Sequence, residues 1–247
     1  MNIKKYLDST YLKTAEQAGL DEVNNVKVVK GFIQEAIDEQ FKLIMIRPNM
    51  VSLAKQMVSD ADSNLQIGTV IDFPEGRSAV ADKLLEAENA IQDGADDLDF
   101  VCNYEAFKND EIDLVKEEIL KGTQLGLENS KVVKWIIEVA ALNDKQIIQL
   151  TALIKIVVMS NFKEDDFASV FVKSSTGFYK TENNLPNGAT IASIILMLEN
   201  ATPLPVKAAG GVRTYEDAVE MIKLGVKRIG TSGAKAIANG ENTNIGY

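Results

Sequence analysis

Eight short runs of β-forming residues recur along the chain, each followed by a longer segment with helical periodicity. The runs cover residues 7–12, 41–46, 66–71, 97–102, 132–138, 169–173, 204–208 and 227–230. Segments such as AVADKLLEAENAIQ (79–92) and YEDAVEMIKL (215–224) carry the helical pattern between them. Strands separated by helices pair in parallel through right-handed crossovers. A (β/α)₈ barrel satisfies this count, and a doubly wound open sheet is the alternative. The chain has 247 residues, close to the roughly 250 of a typical single barrel. One barrel domain over residues 1–247 is therefore expected, with a mobile polar tail at 239–247, NGENTNIGY. Gly94 and Gly225 stand where helices end, and Thr214 precedes an acidic first turn as an N-cap. Residues 159–167, MSNFKEDDF, read as an elongated irregular connection.

The residue types absent from the chain narrow the chemistry. With no histidine, His-based triads, His general acid–base schemes and His-ligated zinc are excluded. The single cysteine, Cys102, can form neither an intrachain disulfide nor a Cys₄ metal site. No metal or cofactor is expected. A net charge of −10 disfavours nucleic acid and anionic membranes as partners. The N-terminus MNIKKYLDSTYLK lacks the apolar segment of a secretory leader, so a cytoplasmic location is expected. The apolar stretch IASIILML (191–198) is far shorter than the roughly 20 residues a bilayer requires.

Barrel chemistry collects at the C-terminal ends of strands. Those ends carry Asp8, Asp99, Glu138, Lys173 and Lys207, and charges inside apolar strands are costly unless paired. Lys173 in FVKSS and Lys207 in PVKAAGG lie on consecutive strands. An ordinary lysine is protonated at neutral pH, but burial and a second cation both favour the free amine that attacks carbonyls. Asp99 would then relay protons. The other reading has both lysines snorkelling to the rim and pairing with Asp99 or Glu138. Glycine-rich turns after the seventh and eighth strands, Gly210-Gly211-Val212-Arg213 and Gly230-Thr231-Ser232-Gly233, suit a phosphate, and Ser174-Ser175-Thr176-Gly177 adds donors.

FVKSSTGF (171–178) and KAAGGVRT (207–214) together resemble the reactive strands of deoxyribose-phosphate aldolases. LDSTYLK (7–13), DFPEG (72–76), GADDLDFV (94–101) and KWIIE (134–138) match in the same order. The resemblance implies a class I aldolase that cleaves 2-deoxy-D-ribose 5-phosphate to acetaldehyde and D-glyceraldehyde 3-phosphate. It implies that Lys173 forms the Schiff base, Lys207 tunes it, and Asp99 serves the proton relay. Asp8 and Lys134 belong to the polar network, and Gly177, Gly210, Gly211, Arg213, Gly230 and Ser232 to phosphate binding. Small-molecule sugar phosphates and aldehydes are the implied partners; apart from the resemblance, a homodimer is the expected assembly. Some members end in a tyrosine that reaches the site, which points to Tyr247 as a proton relay. The chain departs from the family pattern at Ser9, in IMIRP (44–48) with its Arg47, and in VAALND after Glu138. Another sugar-phosphate barrel, such as an isomerase or a different class I aldolase, and a non-catalytic sugar-phosphate-binding or regulatory barrel share the phosphate turns and remain the competing readings.

Overall fold

The computed structural model describes residues 2–182 and 185–241. Eight parallel strands close into one barrel in the order β1 to β8. They are β1 (Leu7–Tyr11), β2 (Leu43–Ile46), β3 (Gln66–Ile71), β4 (Asp97–Val101), β5 (Val132–Ile136), β6 (Val170–Lys173), β7 (Val206–Ala209) and β8 (Arg228–Thr231). The closed barrel, rather than the open sheet, is the architecture, and all eight expected strands are present. The helices are α1 (Ala15–Ala18), α2 (Glu22–Asp38), α3 (Val51–Asp60), α4 (Val80–Asp93), α5 (Tyr104–Lys108), α6 (Ile112–Glu128), α7 (Asp144–Asn161), α8 (Ile191–Ala201), α9 (Tyr215–Leu224) and α10 (Ala234–Ala238). None among the described residues is long and apolar enough to cross a membrane.

Side chains alternate along each strand, so every strand has an outward and an inward face. The outward residues, such as Ile44, Ile67, Phe100, Trp135, Val172 and Ile229, join the helices in one large apolar cluster. Phe100 and Trp135 stack there with ring centroids 4.9 Å apart, and the indole N–H donates to Thr123 on α6 at 3.0 Å. The inward positions divide by chemistry. Leu43, Met45 and Val70 on β2 and β3 form a small apolar cluster with Leu12. The other strands turn charge inward, which is the unusual feature of this barrel.

Local signals set the helix ends. Thr214 caps α9 in a reciprocal box with Asp217, and Gly94 ends α4 at φ 106°. One expected boundary is wrong: residues 159–161 belong to α7, not to an irregular connection. The helix holds because the Phe162 N–H donates to Val158 O at 3.0 Å and Asn161 Nδ2 to Val157 O at 2.8 Å. A 3₁₀ turn over Glu164–Ser169 then leads into β6. A buried ion pair fixes the loop after β3: Lys83 Nζ on α4 donates to Gly76 O and Val101 O, each at 2.9 Å, and to Glu118 Oε2 at 2.5 Å.

Candidate active site

Six strands project their charged side chains into one network on the barrel axis. Lys134 Nζ donates to Asp97 Oδ2 and Asp99 Oδ1, both at 2.6 Å. The other oxygen of Asp99 accepts from Lys173 at 2.8 Å and from Lys207 at 3.0 Å. Lys207 also lies 2.7 Å from Asp8 Oδ2, and Arg228 donates to Asp8 Oδ1 through Nε at 2.7 Å. Register explains the meeting: Lys173 is paired with Lys207 across β6 and β7, and Asp99 with Lys134 across β4 and β5. The expected residues Asp8, Asp99, Lys134, Lys173 and Lys207 are thus brought together. Asp97 and Arg228 complete the network and were not singled out from the sequence. They carry the same signal as the lysines, a charge inside an otherwise apolar strand.

The lysines do not snorkel to the rim. Lys173 is 3% exposed and Lys207 fully buried, although both do pair with Asp99. Four cations, Lys134, Lys173, Lys207 and Arg228, face three carboxylates, Asp8, Asp97 and Asp99. A neutral Lys173 leaves three of each sign among side chains that are all buried. Burial lowers the Lys173 ammonium to about 8, with Lys207 adding to the fall and Asp99 opposing it. About a tenth of the amine is then free at neutral pH, against well under a thousandth for an ordinary lysine. Burial works against an ionised Asp99 as well, but Lys134, Lys173 and Lys207 outweigh it and hold the carboxyl well below the usual range. Lys134 moves the other way: Asp97 and Asp99 outweigh burial and keep it firmly protonated. A buried lysine whose free amine is populated near neutrality, beside an ionised carboxylate, is suited to attack on a carbonyl.

The glycine turns gather beside this network. Gly177, Gly210 and Gly211 take φ of 82°, 74° and 79°, backbone that other residues rarely adopt. Gly188, unremarked in the sequence, packs so closely that a Cβ there would lie 2.4 Å from the carbonyl carbon of Gly210. Its neighbour Ala189 donates its N–H to Ala209 O at 3.1 Å and Gly210 O at 3.0 Å, and Asn187 Nδ2 donates to Gly177 O at 2.9 Å. Thr231 Oγ1 donates to Val212 O at 3.1 Å, tying the turn that holds Ser232 to the β7 turn. Arg213 lies exposed at the start of α9. Gly230 lies in β8 as expected, and the strand runs one residue further than expected, to Thr231. A Cβ at Gly230 would sit 3.3 Å from Lys207 Cε, so its place is under the lysine network. A cleft of about 600 Å³ opens over Gly177 and Asn187, with Lys13 and Lys180 on its walls. These two lysines supply positive charge that the sequence alone did not place. Tyr247 lies outside the described residues. Among the described residues, no three His, Cys, Asp or Glu side chains are grouped to hold a metal.

The chain is 36% identical over 241 residues to deoxyribose-phosphate aldolase of Thermococcus gammatolerans, covering 97% of this chain and 96% of the relative. It is 35% identical over 251 residues to deoxyribose-phosphate aldolase of Streptococcus suis, with both chains covered in full, 100% of each. The solved structure of QR15, an aldolase, superposes with a TM-score of 0.80 at 31% identity, covering 97% of this chain and 95% of that one. The family described as DeoC/LacD family aldolase matches residues 8–240. The chain belongs to the DeoC/LacD aldolase family.

Proposed function

We propose that this barrel, as one catalytic domain, is a class I aldolase that reversibly cleaves 2-deoxy-D-ribose 5-phosphate to acetaldehyde and D-glyceraldehyde 3-phosphate. The carrying observation is Lys173, a buried amine lowered to about 8, hydrogen-bonded to Asp99 and set in register beside Lys207. Its Nζ attacks the C1 carbonyl, water leaves, and a protonated imine forms. The imine nitrogen draws electrons as the 3-hydroxyl loses its proton and the C2–C3 bond breaks. Asp99 is the carboxylate that relays this proton, held charged by Lys134 and Lys207. Glyceraldehyde 3-phosphate departs, the remaining enamine is protonated at C2, and hydrolysis returns Lys173 and acetaldehyde. Because the imine is the electron sink, the scheme calls for no metal or cofactor. Gly177, Gly210, Gly211 and Ser232 receive the phosphate, with Arg213 and Lys180 contributing charge. Tyr247 serves proton transfer at C2. In the homodimer belonging to this reading, Ile156 and Met159, three residues apart on α7 and both exposed, offer apolar surface.

Acetaldehyde followed by borohydride should leave an ethyl group on Lys173, located by peptide mass spectrometry. Recovery of the adduct on Lys207 alone, or on no lysine, overturns the assignment and restores the isomerase or binding-barrel readings.

A further inference from the structure

Glu138 is a buried carboxyl that the scheme above leaves unused. It follows β5 at φ 55°, a left-handed conformation that is costly for a residue with a long side chain. The backbone on either side holds it there. The Ile137 N–H donates to Lys173 O at 3.0 Å, and the Val139 N–H to Ser174 O at 2.9 Å. The Glu138 carboxyl reaches across to the next loop. Its Oε2 accepts the Thr176 N–H at 3.1 Å and also the Thr176 hydroxyl. Thr176 Oγ1 in turn accepts the Phe178 N–H at 3.0 Å. One carboxylate oxygen therefore organises the turn that runs from Lys173 to Gly177, while Oε1 has no hydrogen-bond partner among the described residues.

We propose, resting on the aldolase reading, that Glu138 is a positioning residue for the phosphorylated substrate: ionised, it holds Thr176 and the 174–177 turn in the shape that receives the phosphate, and protonation at Oε1 loosens that hold. The physical basis is the difference between charge-assisted and neutral hydrogen bonds, roughly a factor of two in strength. The charged and titratable groups around the carboxyl are Lys173 on β6, Glu75 in the loop after β3, and Tyr104 on α5. Burial pushes Glu138 up to about 7, with Glu75 adding to the rise and the Thr176 bonds and Lys173 restraining it. Tyr104, pushed up to about 12 by burial, stays protonated throughout this range. The carboxyl therefore changes charge near neutrality, below the titration of Lys173.

The test compares KM for deoxyribose 5-phosphate across pH in the wild type, Glu138→Gln and Thr176→Val, with acetaldehyde trapping of Lys173 run in parallel. In the wild type KM should fall several-fold as pH rises through about 7. Glu138→Gln cannot ionise and should lose that step, keeping only the change from the substrate phosphate near a pKa of about 6. Thr176→Val removes the hydroxyl bond to the same carboxylate oxygen and leaves only the backbone N–H, so it should weaken the step too, which covers the case in which Glu138→Gln fails to fold. Unphosphorylated deoxyribose should show no step in any of the proteins. If the KM curves of wild type and variants coincide while Lys173 is still trapped, Glu138 has no positioning role. Failure of trapping in the wild type defeats the aldolase reading itself.

Discussion

At the scale of single residues, the site works by unequal treatment of chemically identical side chains. Lys134 and Lys173 both touch Asp99, yet one is kept charged and the other is driven toward the free amine. Lys134 has two carboxylates at 2.6 Å, whereas Lys173 shares one oxygen of Asp99 with Lys207. A lowered amine pKa means activity appears as pH rises through the folded value, here about 8. Lys207→Leu removes a cation that favours the free amine, so the Lys173 pKa should rise and the limb of the pH–rate profile should move to higher pH. Each unit of movement corresponds to about 1.4 kcal/mol and a tenfold loss of free amine at neutral pH. The profile of kcat/KM measures it, and an unmoved limb would reduce Lys207 to a structural ion pair.

At the scale of elements, the strand ends present the chemistry while the loops beyond them shape the ligand. The paired lysines lie on β6 and β7, and the loops after these strands approach each other so closely that only glycine fits at their contact. Gly188→Ala would place a methyl 2.4 Å from the Gly210 backbone and force the β7 turn to move. Turnover of deoxyribose 5-phosphate should fall by roughly tenfold or more, as misplacing a substrate-positioning group by about 1 Å costs up to a hundredfold. Unphosphorylated deoxyribose, which does not use that turn, should lose far less, and kcat/KM for the two substrates decides it. Equal losses would mean that the turn is architectural and that the phosphate binds elsewhere.

On the scale of the whole molecule, the ion network ties the barrel across its axis. Asp97 on β4 compensates Lys134 on β5, and it lies 3.8 Å from Arg228 on β8. A buried pair broken on one side leaves an uncompensated charge, which costs about 3–5 kcal/mol. Asp97→Asn should lower stability by about this amount in urea unfolding, because Lys134 and Arg228 are both nearly inaccessible to water. A loss below about 1 kcal/mol would show that Asp99 and Asp8 suffice to balance the remaining cations. The apolar half of the interior, at Leu43, Met45 and Val70, gives no such leverage, since it holds no charge to strand.

The sequence by itself determined the eight strands with their intervening helices and the identity of the paired lysines, and the fold decided for a closed barrel over an open sheet. The strands and lysines depend on local periodicity and on charged residues placed where burial makes them costly, and both are visible in one dimension. The end of α7 was misread because polar residues at 159–161 resemble a loop until the backbone bonds closing the last helical turn are seen. Tertiary structure decided which charges compensate which. Asp8 and Arg228 are separated along the chain by most of its length and meet only because the barrel closes β8 onto β1. It also decided that Gly230 clears space for Lys207, and that Gly188 belongs with Gly210. Closeness of backbones across a loop leaves no periodic trace, because glycine looks the same in a turn, in a strand and against another chain segment. Glu138 shows the same division: the sequence places a carboxylate after β5, and the fold supplies the burial and the Thr176 contact that set its charge.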